Sequence, residues 1–188
     1  MSAGMERYQF SVADYERMGE IGILTEADRV ELIAGEIVRM SPIGRRHVQA
    51  VNRLGHLLYA VAGTELTVSI QNPIRLGLRD EPQPDLAILR GMGRGLTDAS
   101  EVLLVIEVAD SSREYDRATK LPRYATAGIP EAWLVDLANN VIERYSEPRN
   151  RNYRVAMFAH AGESLTSTVI PALHISADLV LGSDATEP

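Results

Sequence analysis

Three ionisable residues stand where an apolar core would otherwise run unbroken. Asp85 lies in Gln83-Pro84-Asp85-Leu86-Ala87-Ile88-Leu89, Glu107 in Val102-Leu103-Leu104-Val105-Ile106-Glu107-Val108, and Lys120 follows soon after. Each carboxylate falls at the end of a run that reads as a buried strand. A buried charge without a partner is costly, so two acids beside two core strands need an explanation, and a bound divalent metal is the simplest. If the two strands are neighbours, their ends bring both carboxylates to one point. Magnesium commonly takes only one or two protein carboxylates and leaves its other positions to water and substrate phosphate. A backbone carbonyl near Val108 can add a ligand. An ion held there lowers the pKa of a bound water and neutralises charge on a phosphate. The Lys120 ammonium then stabilises negative charge that develops beside it. The chemistry these residue types suggest is phosphodiester hydrolysis.

Each residue also has a plainer reading. Asp85 follows a proline and can cap a turn. Glu107 can be solvated at a strand end or paired with an arginine. Lys120 lies four residues after Asp116, the spacing of a surface ion pair, which contributes only about 0.3–0.5 kcal/mol. Tyr124 continues the same helical face. His56, His160 and His174 lack metal-ligand spacing. Gly91, Gly93 and Gly95 make no phosphate loop, since no Gly-Lys-Ser/Thr follows them. No serine sits in a nucleophile-elbow pattern.

The elements that must position these residues are legible in the hydrophobic pattern. Ser11–Met18 reads as a short helix with Ser11 as N-cap and Asp14 in the first turn, and Thr25 caps a second short turn. Arg29–Met40 reads as a hairpin turning at Ala34-Gly35. Arg45–Ala62 is the strongest helix signal, with Val48, Val51, Leu54, Leu58 and Val61 at spacings of three and four and Gly63 as its stop. Leu66–Ile70 and Ile74–Leu78 are strand material, Asp85–Leu89 is a strand, and the span from Gly91 to Ser100 is a loop. Glu101–Val108 is almost wholly apolar, the mark of a central strand covered on both faces. Ser111 and Glu114 resemble a capping box opening a helix to about Ala127, which Pro122 should kink or loosen. Ala132–Leu137 is a second buried strand with Trp133 in the core. Val141–Tyr145, Tyr153–Phe158 and Leu165–Val169 add strands, Leu173–Leu181 closes the fold, and Ser183–Pro188 frays. The order predicts an α/β fold: an N-terminal hairpin, a mixed central sheet flanked by helices, and a C-terminal antiparallel extension. The helix between Glu101–Val108 and Ala132–Leu137 makes a crossover joining parallel strands.

The bulk numbers agree. A chain of 188 residues, with 45% hydrophobic and 24% charged residues, fits one globular domain, with its core at about 29–146. Cysteine is absent, which excludes disulfides and cysteine-ligated zinc and fits a reducing compartment. Met1–Phe10 does not read as a signal peptide and no run approaches a membrane span, so the expectation is a cytoplasmic protein. The net charge of −7 counts against nucleic-acid binding, although local patches outweigh totals. Arg45, Arg46 and Arg53 form one candidate patch and Arg75, Arg79, Arg90 and Arg94 another; scattered solubilising charge is the competing reading.

Five ordered blocks resemble a known family. They are Val30-Glu31-Leu32-Ile33-Ala34-Gly35-Glu36-Ile37, Gln83-Pro84-Asp85-Leu86-Ala87, Ile106-Glu107-Val108, Tyr115-Asp116-Arg117-Ala118-Thr119-Lys120-Leu121, and Gly128 through Asp136. Together they resemble the Uma family of restriction-endonuclease-like proteins, a branch of the PD-(D/E)XK nuclease superfamily, over roughly residues 10 to 180. The resemblance implies a restriction-endonuclease-like core and ligation of Mg2+ or Mn2+ by Asp85 and Glu107, with DNA as substrate and action as a dimer. It also exposes a departure. The superfamily's lysine stands two residues after the acid, where this chain has Ala109, and Lys120 on the next helix is the natural replacement. An acid from the first helix assists the metal site in that superfamily; Arg45–Ala62 contains none, so His47 is best placed to substitute, and Glu36 can approach from the hairpin. The missing lysine at Ala109 and the acidic pI motivate an alternative, a catalytically inactive nuclease fold used as a nucleic-acid-binding or protein-interaction module.

Overall fold

The structure, a computed structural model, describes residues 7–91 and 97–182. Gly93, Arg94 and Gly95 of the expected loop, and the expected frayed tail Ser183–Pro188, lie outside the described residues.

Helix α1 (Val12–Glu20) opens on a reciprocal cap, in which the Asp14 N–H donates to the Ser11 hydroxyl at 3.1 Å and the Ser11 N–H donates to the Asp14 carboxylate at 2.8 Å. Thr25 caps a 3-10 turn at Glu26–Asp28. Strands β1 (Val30–Ile33) and β2 (Glu36–Arg39) form the expected hairpin. Helix α2 (Arg45–Ala62) follows, and its buried face is Ala50, Val51, Leu54, Gly55, Leu58 and Ala62. Val48, expected on that face, is 45% exposed. Val48 lies in the first turn of the helix, while Val51, Leu54 and Leu58 are buried as expected; Gly55 lets the helix approach β3 (Leu66–Ile70) closely, since a Cβ there would lie 3.4 Å from the Ile70 side chain.

The expected strand Ile74–Leu78 shrinks to β4 (Ile74–Arg75), which pairs with β6 (Thr97–Asp98) outside the main sheet. Strand β5 (Leu86–Arg90) lies between them in sequence. Strand β7 (Val102–Ala109) leads through α3 (Arg113–Tyr115), a π-helical turn (Asp116–Lys120) and α4 (Leu121–Thr126) to β8 (Glu131–Asp136). The helix begins at Arg113 with Ser112 at the cap position rather than Ser111, and no capping box with Glu114 forms. Pro122 has no N–H to return to the preceding turn, and the loosening expected of it takes the form of the π turn directly upstream. Strands β9 (Val141–Arg149) and β10 (Asn152–Ala159) are longer than their apolar cores suggest. The chain closes with β11 (Ser164–Thr166), β12 (His174–Ser176) and α5 (Ala177–Leu181).

The central sheet has the order β10-β9-β8-β7-β5-β3. Only β7 and β8 within it are parallel, which makes it mixed. Leu104, Ile106, Val108, Trp133 and Val135 pack in one cluster with Leu54 and Leu58 of α2 and Val180 of α5. On the other face Val105 and Ala132 pack with Leu121, Tyr124 and Ile129. Burial on both faces is why β7 and β8 are continuous apolar runs. Strand alternation then assigns Glu107 to the face of α4. No helix among the described residues is long and apolar enough to cross a membrane.

One acid away from the central sheet is strained by its surroundings. Glu81 bridges to Leu32, is 4% exposed, and one of its carboxylate oxygens has no hydrogen-bond partner. Burial, with Glu16 alongside and only Arg75 opposing, lifts its pKa to about 7. The folded state therefore holds this proton more tightly than the unfolded chain. Its stabilisation is complete below the ordinary value of 4.5 and is lost as pH rises through about 7. Glu81→Gln, which cannot ionise, is expected to be more stable than the parent above that range, by on the order of 1–3 kcal/mol. It is also expected to flatten the pH dependence of the urea midpoint. Parallel pH profiles of the two proteins would disprove it.

Candidate active site

The register of the sheet brings the two acids together. Leu86 of β5 pairs with Ile106 of β7, so in an antiparallel pair the next position sets Asp85 opposite Glu107. The Val108 N–H donates to Asp85 Oδ2 at 2.9 Å, folding the carboxylate over the end of β7. Asp85 Oδ1 faces His47 Nε2 at 3.0 Å and accepts from the Gln71 amide at 3.3 Å. His47 is in the first turn of α2, where the helix points at the end of β5.

Glu107 is 3% exposed. The Tyr124 hydroxyl donates to it at 2.5 Å, and Lys120 Nζ lies 3.3 Å from the same oxygen. Lys120 Nζ thus lies beside the end of β7, next to Glu107. Ala109 itself is fully buried and its carbonyl accepts from the Leu137 N–H at 2.8 Å. The π turn carries both Asp116 and Lys120, and both are buried, at 4% and 5% exposure. The surface ion pair that their spacing predicts is therefore an interior one, at 3.9 Å.

Sequence reasoning missed the nearest partner of that ammonium. Glu31 of β1 lies 3.1 Å from Lys120 Nζ, is 3% exposed, and accepts from the Gln83 N–H at 3.2 Å. Its signal was present: an acid inside the apolar run Val30-Glu31-Leu32-Ile33 has the same pattern that singled out Glu107. Glu36, the candidate from the same hairpin, is not brought to the site. It pairs with Ile33 at the turn end, while Glu31 pairs with Val38 towards the open end; its side chain is exposed and faces Arg7 at 3.4 Å.

Asp85, Glu107, Val108, His47, Lys120 and Glu31 all line one cavity of about 390 Å³. Asp116, Tyr115, Arg29 and Arg39 line it too. Its floor carries more negative than positive charge. Burial first, then Asp116 and Asp85, raises the Glu107 pKa well above its ordinary value against the pull of Lys120. Burial also raises Asp116. Burial alone would lower the pKa of Lys120, but Glu107, Glu31 and Asp116 together push it above the lysine range, so it is a fixed cation. Two polar atoms of the lining residues, His47 Nδ1 and the Tyr115 hydroxyl, are buried without a hydrogen-bond partner. Burial, with Glu31 nearby, holds the Tyr115 phenol up at about 12, so it keeps its proton and can donate.

Among the described residues no group of three or more His, Cys, Asp or Glu side chains is spaced to hold a metal ion. The donors that are present are hard oxygens, two carboxylates on adjacent strand ends with excess negative charge behind them. That set suits magnesium or manganese, which need only one or two protein carboxylates.

The family model Uma2, described as "Putative restriction endonuclease", matches residues 12–178. A crystal structure of "a putative nuclease belonging to DUF820" from Anabaena variabilis superposes with a TM-score of 0.72 over 91% of this chain and 97% of that one, at 12% sequence identity. At that identity the likeness is one of fold. The curated proteins contain no match.

Proposed function

The chain belongs to the Uma2 family, and from that premise we propose that it is a metal-dependent endonuclease hydrolysing DNA phosphodiester bonds. The observation that carries the reading is the convergence of Asp85, Glu107 and Lys120 on one cavity, with Lys120 Nζ 3.3 Å from Glu107. Asp85, Glu107 and the Val108 carbonyl are the groups that would hold Mg2+ or Mn2+. The ion, when bound, supplies a water of lowered pKa and neutralises phosphate charge. Glu31 and Asp116 hold the Lys120 ammonium against the phosphate position, where it stabilises charge developing in the transition state. His47 positions Asp85 through the 3.0 Å contact. The unpartnered Tyr115 hydroxyl is a donor ready for a phosphate oxygen. A cytoplasmic location, and a dimer that presents two such sites to two strands, belong to the same reading.

Supercoiled plasmid is the direct test. Conversion to nicked or linear forms is expected in Mg2+ or Mn2+ and is expected to stop in a chelator. Plasmid left intact under every divalent-ion condition would refute the proposal.

One observation favours a second reading, an inactive nuclease fold that serves as a binding module. The acids already have protein partners, Lys120 and Tyr124 on Glu107, and His47, Gln71 and the Val108 N–H on Asp85. Calorimetric titration separates the two, because a protein that takes up neither ion at millimolar concentration belongs to the second.

A further inference from the structure

Four arginines of the basic patches suggested by the sequence are tied to other parts of the chain. Arg46 donates to the Leu137 carbonyl at 2.7 Å and Arg53 to the Val180 carbonyl at 3.3 Å. Arg75 is paired with Glu16, and Arg79 with Gln9. These guanidiniums are engaged in holding elements together.

Arg29 and Arg39 differ. Both line the cavity that contains Glu107 and Lys120, and neither has an ion-pair or hydrogen-bond partner for its guanidinium among the described residues. Arg39 exerts only a small pull on the Asp28 carboxylate, which accepts from the Thr25 N–H at 2.7 Å and hydroxyl at 2.8 Å. Arg29 has left-handed backbone, φ 48° and ψ 65°, which costs a residue with a Cβ about 1–2 kcal/mol. The Met40 N–H donates to the Arg29 carbonyl at 2.9 Å, and Arg39 pairs with Val30. Both arginines therefore stand at the open end of the hairpin, and both line the cavity. A strained backbone held in place beside a site is an observation from which function can be argued.

The electrostatic problem of the site gives these arginines a task. A polyanionic substrate must approach an acidic floor on a chain whose net charge is −7. Phosphate contacts supply affinity and register on nucleic acid, and a guanidinium fork matches two phosphate oxygens. We propose that Arg29 and Arg39 form a phosphate clamp that holds the nucleic-acid backbone beside the reacting phosphate. The clamp rests on the nuclease reading for its substrate. It adds that the N-terminal hairpin, outside the central sheet, is the substrate-holding arm.

The test is the anisotropy of a short fluorescein-labelled DNA duplex titrated with the full chain, in chelator, over a series of salt concentrations. Arg29→Gln with Arg39→Gln is expected to weaken binding at least tenfold at low salt. It should also reduce the slope of log affinity against log salt by about 1.8, the loss of two phosphate contacts. Arg149→Gln with Arg151→Gln removes the same charge from two exposed positions outside the cavity and is expected to leave the slope unchanged. Arg29→Gly controls for folding, since glycine accepts the left-handed backbone; it should keep or raise stability and lose about one contact. Equal effects of the two double variants, or no binding by the parent chain, would overturn the clamp. Because no cutting occurs in chelator, the two proposals fail separately. Intact plasmid with a specific Arg29/Arg39 effect sinks only the hydrolase, and cleaved plasmid with equal effects sinks only the clamp.

Discussion

Lys120→Met is expected to destabilise the fold by about 3–5 kcal/mol, the cost of leaving buried carboxylates without their cation. Methionine fills much of the same volume, so the loss is electrostatic rather than a cavity. Three acids face the ammonium, Glu31 at 3.1 Å, Glu107 at 3.3 Å and Asp116 at 3.9 Å, and all are at most 4% exposed. A surface pair between Asp116 and Lys120 would lose only about 0.3–0.5 kcal/mol, so the size of the effect decides between the two readings. The pH dependence adds a second check. Glu107 and Asp116 already have raised pKa values, and removing the cation raises them further. Proton binding by the folded variant is then a stabilising contribution, complete below the ordinary values of 4.5 and 3.8 and lost as pH rises through the elevated ones. The deficit of the variant should accordingly shrink as the solution is acidified. Urea unfolding at neutral and acidic pH measures both. A variant within about 0.5 kcal/mol of the parent at neutral pH would show that Lys120 is not the counter-charge of this cluster.

The parts of this site that were legible in the sequence are those where one residue type violates a strong local pattern. Asp85 and Glu107 interrupt apolar runs, and two-sided burial of β7 and β8 made those runs unmistakable. Lys120 was visible as a position on a helix but not as a buried charge. Its spacing from Asp116 fits a solvated pair equally well, and only the π turn beside Pro122 turns both side chains inward. Glu31 and Glu36 show the limit most clearly. Both are acids on one hairpin, and their fates depend on which end of the hairpin meets the cavity. That placement goes with long-range contacts such as the bridge between Leu32 and Glu81 and the Gly35 N–H bond to the Arg79 carbonyl, which no local pattern encodes. The engagement of individual arginines was hidden for the same reason, since Arg46, Arg53 and Arg75 find partners between 59 and 127 residues away.

Glu107→Gln should have the opposite profile to Lys120→Met, with activity lost and the fold kept. The amide has the same shape and can still accept the Tyr124 hydroxyl, which donates at 2.5 Å in the parent. Lys120 retains Glu31 and Asp116, so no cation is stranded. Burial already pushes Glu107 towards its neutral form, and a permanently neutral side chain removes that cost; stability should stay within about 1 kcal/mol of the parent or rise. Plasmid cleavage should fall by about 10²–10³-fold, the scale for deleting one group that stabilises a transition-state charge. The heat of Mn2+ binding should fall with it. A carboxylate whose removal leaves stability intact and abolishes turnover is held at that position for its charge. If Glu107→Gln cleaves plasmid at the parental rate, the Asp85–Glu107 pair is a structural element and the chemistry of this protein has to be sought elsewhere on its surface.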